Sequence, residues 1–190
     1  MKIGYQGDIG SNNEEAALFF IRDNFRAEET IELIPLISSE NVINGILDNT
    51  IDYGVCAVRS FTEKDAIKVL ETTKALKTTS HLLEAVDVVQ LPIHHSLFRL
   101  PGEEIDTIAS HEQALIRTVK NRQVKYPNCK EVAEKDTAWC ARALRFGELP
   151  ANYGVICRKD IGEKYNLECL EPIFEDEPVR TEFMLFRRYQ

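Results

Sequence analysis

The sequence lacks several patterns that would assign a function directly. It has no Gly-x-Gly-x-x-Gly fingerprint and no Gly-Lys-Ser/Thr phosphate loop, and no apolar run approaches the ~18–20 residues that a membrane span needs. Its five cysteines are scattered and never spaced Cys-x-x-Cys. These absences argue against a nucleotide site, a membrane-spanning protein, a structural zinc site and a secreted disulfide framework.

Positive charge is scarce as well. The 190 residues include 23 Lys and Arg against 31 Asp and Glu, which gives a net charge of −8. This balance disfavours broad contact with phosphate backbones or anionic lipids, so we expect neither nucleic acid nor a membrane as a partner. Scattered cysteines are most simply explained as reduced thiols, and the N terminus has no apolar signal core. We therefore expect a cytoplasmic protein.

The four histidines do not predict a metal site. His94 and His95 are adjacent in a strand-like run, and neighbouring residues of a strand point to opposite faces. His81 and His111 are isolated from other residues with metal-ligand chemistry. We expect no metal and no cofactor.

Strands and helices alternate at the start of the chain. Lys2 to Gln6 predicts a strand, and the turn after it ends at Ser11, which with Glu14 fits a helix-capping box. Ile31 to Ile37 and Asp52 to Val58 predict two more strands, with a helix between them. Three strands alternating with two helices indicate an α/β lobe with a parallel sheet.

The middle of the chain has different secondary-structure signals. Residues 78–100 are strand-like and poor in helix signals, and Pro92 interrupts them; alternation of helices and strands resumes afterwards. We interpret the chain as an α/β protein of two lobes, residues 1–76 with 160–190 and residues 77–159. We expect a ligand cleft between the lobes.

Five segments of the chain resemble the catalytic domain of the prephenate dehydratase family, in matching order and over nearly the full length. They are Tyr5–Ser11 with Glu15–Ala17, Asp52–Val55, Pro92–His95, Ser110–Leu115 and Arg180–Phe183. They are similar, in turn, to that family's Tyr-x-Gly-x-x-Gly-Thr turn and helix, the strand before its Glu-Asn-Ser motif, and its Ile-x-His, Ser-His-Pro-Gln-Ala-Leu and Thr-Arg-Phe segments.

The resemblance implies a fold and an activity. The implied fold is two-lobed and similar to type II periplasmic binding proteins, with the ligand cleft at the crossover strands. The implied reaction removes carbon dioxide and the ring hydroxyl from prephenate and yields phenylpyruvate, a step of phenylalanine biosynthesis. Because the chain ends soon after the last matching segment, we expect no regulatory ACT domain.

Two of the family's motifs are altered. Where the family carries Glu-Asn-Ser, this chain has Arg59, Ser60 and Phe61, and Glu182 replaces the arginine that follows the retained Thr181. An acidic residue has become basic and a basic residue acidic. If Arg59 and Glu182 are neighbours, the exchange preserves an ion pair with reversed direction, although strand alternation turns Glu182 away from the face of Thr181.

The resemblance assigns roles to six residues. Thr181 is the expected catalytic residue, as a hydrogen-bond donor to the departing hydroxyl. The expected substrate-binding residues are Ser11, Arg59, Ser60, Ser110 and Gln113. Helix capping is an alternative role for Ser110 and Gln113, and exposure to solvent or pairing with an acidic neighbour is an alternative for Arg59.

We expect a carbon–oxygen lyase that acts on prephenate or a close relative, a small dianion. One alternative is a prephenate decarboxylase that leaves the ring non-aromatic. Another is a non-catalytic binder of a small aromatic or carboxylate ligand. The retained Thr181 favours an enzyme, and the altered Glu-Asn-Ser motif favours a binder. Assembly into homodimers is left open.

Overall fold

The computed structural model describes residues 1–26 and 29–189. Within these residues the elements follow in chain order: β1 (Lys2–Tyr5), α1 (Asn12–Asn24), β2 (Glu32–Pro35), α2 (Ser39–Leu47), β3 (Tyr53–Phe61), β4 (Ala66–Lys68), α3 (Leu70–Leu76), a 3₁₀ turn (Ser80–Leu82), β5 (Leu83–Ile93), β6 (Ser96–Arg99), β7 (Thr107–His111), α4 (Glu112–Ile116), α5 (Val119–Lys125), β8 (Lys130–Glu134), α6 (Thr137–Arg145), β9 (Tyr153–Cys157), α7 (Lys159–Lys164), β10 (Glu168–Glu171) and β11 (Val179–Arg188).

The chain divides into two compact units. The first comprises residues 1–92 and 180–190, and the second residues 93–179. Both ends of the chain belong to the first unit. Strand pairing accounts for the two units: β5 joins the sheet of the first unit, while β10 pairs with β6 in the sheet of the second. The expected lobes, with boundaries at residues 76–77 and 159–160, stay a prediction.

The first unit is built on a mixed sheet with strand order β2-β1-β3-β11-β5. The short strand β4 pairs with the last three residues of β3, 59–61. The pairs β1–β2 and β1–β3 are parallel, whereas β11 runs antiparallel to β3. The expected parallel core is therefore present, with antiparallel strands added to it. Val42, Ile43 and Ile46 of α2 pack on one face of this sheet with Cys56 and Phe186.

The second unit is built on a five-stranded sheet with order β10-β6-β9-β7-β8. On one face, buried residues of α6 such as Ala141 and Leu144 pack with Phe98 and Val155. On the other face, Ala114 and Leu115 of α4 pack with Ile108 and Phe174. Asp136 caps α6 by accepting a hydrogen bond from the backbone of Trp139 at 2.9 Å.

Candidate active site

The turn after β1 uses glycine where the backbone enters the left-handed region. Gly7 has φ 93° and Gly10 has φ 90°, conformations that residues with a Cβ rarely adopt. Ser11 then caps α1: its hydroxyl accepts a hydrogen bond from Glu14 N at 3.3 Å. The Glu14 carboxylate accepts from Gly10 N at 2.7 Å, one residue before the position that a capping box would use.

Ser11 is therefore used within its own turn. It is almost fully buried, at 1% exposure, and its hydroxyl donates to the Gln6 carbonyl at 3.3 Å. With its single donor committed to the backbone, the side chain holds the turn in place. The ligand contact expected of Ser11 stays a prediction.

A polar network that the sequence did not indicate joins the end of β1 and the middle of β3 to α2 and α3. The Gln6 side chain, 4% exposed, donates to Glu71 at 2.8 Å, and Ala57 N donates back to the Gln6 amide oxygen at 3.4 Å. The other oxygen of Glu71 accepts from Ser39 N at 2.7 Å. A buried hydroxyl completes the network, since Thr72 donates to the Ala57 carbonyl at 2.6 Å.

This network lies just beyond the point where the parallel pairing of β1 with β3 ends, at Tyr5 and Val55. The carboxyl ends of parallel strands are where ligands bind in α/β sheets. Glu71 also places a carboxylate at the first turn of α2, where the helix dipole favours negative charge. The backbone carbonyl of Gln6 accepts a hydrogen bond from the Ser11 hydroxyl, and the side chain of Gln6 donates one to Glu71. Glu71 is thus coupled to the Ser11 turn through Gln6. A glutamine at the end of an apolar strand was the one available sequence signal.

Thr181 and Ser60 lie directly opposite each other on β11 and β3. Ser60 is buried, at 3% exposure, whereas Thr181 is partly exposed. Among the described residues, the Thr181 hydroxyl has no hydrogen-bond partner. The structure therefore brings together two of the six predicted site residues, one of them with a hydroxyl available to a ligand.

Arg59 does not join this pair. In register it lies opposite Glu182, one residue along from Ser60 and Thr181, so both charged side chains extend from the other face of the sheet. Arg59 Nε is 3.9 Å from Glu182 Oε1, and Gln90 donates to the second oxygen of Glu182 at 3.2 Å. Arg59 binding to a substrate carboxylate stays a prediction, and pairing with an acidic neighbour is what the structure shows.

Two predicted residues, Ser110 and Gln113, belong to the second unit. Ser110 is fully buried at the end of β7 and donates to the Ile156 carbonyl at 2.7 Å. The cap of α4 is His111, whose Nδ1 accepts from Gln113 N at 3.3 Å, so neither predicted residue is the cap. Among the described residues, the buried side-chain oxygen of Gln113 has no hydrogen-bond partner, which leaves an acceptor for a ligand.

A buried histidine and a carboxylate lie elsewhere in the second unit. His95 is 5% exposed, and burial lowers its pKa to about 4. Glu175 accepts from His95 N at 3.0 Å and contacts His94 Nδ1 at 3.1 Å. Burial opposes ionisation of Glu175, but these hydrogen bonds and one from its own backbone outweigh it and lower its pKa. Glu175 thus links the β5–β6 connection to the segment before β11 through these two contacts.

The thiols are poor nucleophiles. Cys56, Cys140 and Cys157 are buried, and burial raises the pKa of each. Cys56 lies in the core of the first unit. Within residues 1–26 and 29–189, no group of three His, Cys, Asp or Glu could hold a metal ion. In the same ranges, no helix is long and apolar enough to cross a membrane.

The family model of prephenate dehydratase matches residues 3–190, almost the whole chain. The chain belongs to the prephenate dehydratase family. It is similar to the prephenate dehydratase of Amycolatopsis methanolica, with 29% identity over 191 residues, covering 98% of this chain and 58% of that protein. It is also similar to chloroplastic arogenate dehydratase 4 of Arabidopsis thaliana, with 34% identity over 112 residues, covering 57% of this chain and 26% of that protein.

A solved structure supports the same fold. The prephenate dehydratase of Arthrobacter aurescens, solved in complex with L-Phe, superposes with a TM-score of 0.75 at 22% identity, covering 100% of this chain and 61% of that one. This likeness confirms the predicted α/β fold with two sheets. The chain accounts for less than two thirds of the length of each of these three proteins.

The family's two altered motifs meet in the sheet of the first unit. The position of the family's glutamate (Arg59) is opposite that of its arginine (Glu182), and Ser60 is opposite the retained Thr181. The two charge-reversed residues, Arg59 and Glu182, therefore lie on one face of the β3–β11 pair, and Thr181 lies on the opposite face. The alterations do not remove the hydroxyl on which the expected chemistry depends.

Proposed function

We propose that the protein is a dehydratase acting on prephenate or a close relative. The family membership over residues 3–190 supports this assignment. The observation that carries it is Thr181, whose partly exposed hydroxyl has no hydrogen-bond partner among the described residues and lies beside Ser60, the middle residue of the altered motif. A hydroxyl held on a strand and available to a ligand is the group that the elimination requires.

The reaction converts the prephenate dianion and one proton into phenylpyruvate, carbon dioxide and water. The bond between the ring and its carboxylate breaks, its electrons enter the ring, and the hydroxyl leaves from the opposite ring carbon. Aromatisation supplies the driving force, so the protein has to hold two carboxylates and stabilise the departing oxygen. In our proposal Thr181 donates a hydrogen bond to that oxygen, and solvent supplies the proton that completes the water.

Substrate binding is assigned to the predicted residues with unequal support. Ser60 is the best supported because it is opposite Thr181. Gln113 offers an unpartnered acceptor oxygen, whereas the hydroxyls of Ser11 and Ser110 already donate to backbone carbonyls. Ligand contact by those two serines, and by Arg59 on the other sheet face, is part of the proposal.

The test is product identification. The purified chain is incubated with prephenate and, separately, with arogenate, the substrate named for the plant relatives, and the products are identified by mass spectrometry. Phenylpyruvate from prephenate, or phenylalanine from arogenate, supports the proposal. A non-aromatic keto acid would instead identify a decarboxylase. Unchanged prephenate with binding detected by calorimetry would identify a non-catalytic binder.

We also propose a cytoplasmic location and a small dianion, rather than nucleic acid, as the partner. The five cysteines are free thiols, which suits a reducing compartment, and the net charge of −8 opposes binding to polyanions. Fractionation of the source cells tests the location, and recovery of the protein only with the membrane or secreted fraction would contradict it.

A further inference from the structure

A groove in the first unit lies beside the Arg59–Glu182 pair. It has a volume of about 310 Å³, which is at the lower end of the ~300–1,000 Å³ range of small-molecule sites. Residues of β3, β4 and β11 line one side, and α3 with the chain after it lines the other. Because Arg59 and Glu182 extend from the sheet face opposite Ser60 and Thr181, this groove is separate from the proposed active site.

The groove carries an excess of positive charge. Its charged lining consists of Arg59, Lys68, Lys77 and Glu182, three cations and one carboxylate. Lys68 is directly opposite Arg59 in the β3–β4 register, and like charges in that arrangement destabilise a sheet. Within the described part of the chain, neither Lys68 nor Lys77 forms an ion pair. The chain as a whole has a net charge of −8, so the groove is a local excess of positive charge. A bound anion would reduce the repulsion among its cations.

The remaining lining is apolar with hydroxyls. Val58, Leu76 and Met184 contribute hydrocarbon surface continuous with the core between the sheet and the helices α2 and α3. Thr73 and Ser80 add hydroxyl groups at the side of α3. A hydrated inorganic ion gains nothing from the hydrocarbon, whereas an organic acid uses both parts of the surface.

We propose that this groove binds a small organic carboxylate with an apolar body. The carboxylate contacts Lys68 and Lys77 while Glu182 holds Arg59, and the apolar body packs on Met184 and Leu76. The groove is then a second ligand site on the first unit, and its occupancy does not require turnover of prephenate.

Calorimetry with phenylacetate tests the proposal on the full chain at low ionic strength. We expect binding by the wild type, at least tenfold weaker binding by Lys68→Gln and by Lys77→Gln, and tighter binding by Glu182→Gln. Lys74→Gln is the matched control, because Lys74 belongs to α3 but does not line the groove. Phenylacetamide, which has the same shape without the charge, should bind at least tenfold more weakly than phenylacetate.

The proposal would be overturned by no binding of phenylacetate to the wild type, or by equal affinity in the lysine variants and in Lys74→Gln. Loss of binding in Thr181→Val would overturn it too, because it would assign phenylacetate to the proposed active site. Inorganic phosphate binding as tightly as phenylacetate would also overturn it, since the groove would then be only a cationic patch.

Circular dichroism verifies that the variants are folded, and Lys68→Arg should retain binding. Product formation from prephenate by Lys68→Gln reports on the dehydratase separately.

Discussion

Arg59 and Glu182 are direct partners across β3 and β11, with 3.9 Å between Arg59 Nε and Glu182 Oε1. Relative to the family pattern, both positions have changed sign. Either change alone would place two like charges opposite each other in the sheet, which is destabilising. The two departures therefore belong together: they preserve an ion pair and reverse its direction, as the sequence suggested for the case in which the two residues are neighbours.

Charge reversal should reveal this coupling. We expect Arg59→Glu and Glu182→Arg each to lower the free energy of unfolding, and the double variant, which restores the family's arrangement, to recover most of the loss. Since Arg59 is 53% exposed, the coupling energy should be about 0.2–1 kcal/mol. Urea unfolding of the four proteins measures it. Arg59→Glu with Glu63→Arg, a pair not in register, is the control, and strictly additive effects in the Arg59–Glu182 cycle would refute the coupling.

Substitution of Thr181 should separate catalysis from stability. Thr181→Val removes the hydroxyl but keeps the β-branched shape, so we expect product formation to fall by about 10²–10³-fold, the usual effect of removing one hydrogen-bond donor to a developing negative charge. Thr181→Ser should retain most of the activity. Turnover of prephenate and thermal unfolding are measured together, with Thr78→Val as the control at an exposed position. Full activity in Thr181→Val would show that the hydroxyl takes no part in the reaction.

Removal of the Glu71 carboxylate should destabilise the first unit. Glu71→Ala leaves the Gln6 amide and Ser39 N without their acceptor, and an unsatisfied buried donor costs about 1–3 kcal/mol. Glu71→Gln retains an acceptor oxygen and should lose less. Chemical unfolding provides the comparison, with Glu63→Ala as an exposed control. If Glu71→Ala and Glu63→Ala are equally stable, the network makes no net contribution.

His95 should make stability depend on pH. Its pKa is lowered to about 4 by burial; Glu175 favours the charged form, while His94 and Arg117 oppose it. The unfolded chain, with a histidine pKa of about 6.5, therefore binds more protons between pH 6.5 and 4. The stability that neutral His95 provides is complete above pH 6.5 and is lost as the pH falls, by about 2 kcal/mol at pH 5.

The measurement is the free energy of unfolding at pH 7 and pH 5 for the wild type and His95→Gln. The variant should lose less stability on acidification, whereas His81→Gln, at an exposed position, should behave like the wild type. An identical pH dependence in His95→Gln and the wild type would show that the His95 pKa is not lowered in the folded protein.

Elements with strong local signals were predictable from the sequence. From the sequence alone, a strand is predicted at Tyr153–Cys157 and a helix after Asp136, and both are found there, because a short apolar run and a capping side chain act over a few residues. From the sequence alone, Ser39 is predicted to cap α2, whereas in the structure the cap is Ser38. Neighbouring serines offer the same chemistry, and the fold selects between them.

Elements without local signals were missed. β4 has three residues, α3 has no side-chain cap, and β10 is a short edge strand. Pro92 was expected to interrupt the middle region, yet β5 continues through it to Ile93. Proline is tolerated there because β5 is at the edge of the sheet and Pro92 is near its end. That edge position follows from pairing with β11, which is far away in sequence.

By itself the sequence determined the α/β class, the family and the retained threonine at position 181. Periodicity, capping and motif order can be recognised there because they depend on residues that are close together in the sequence. Only the tertiary structure decided which of these residues meet. Strand register placed Ser60 beside Thr181 and turned Arg59 to the opposite face with Glu182, and it joined Gln6 to Glu71 across 65 positions of sequence. Register depends on the packing of whole sheets, and a shift of one residue would exchange the two faces.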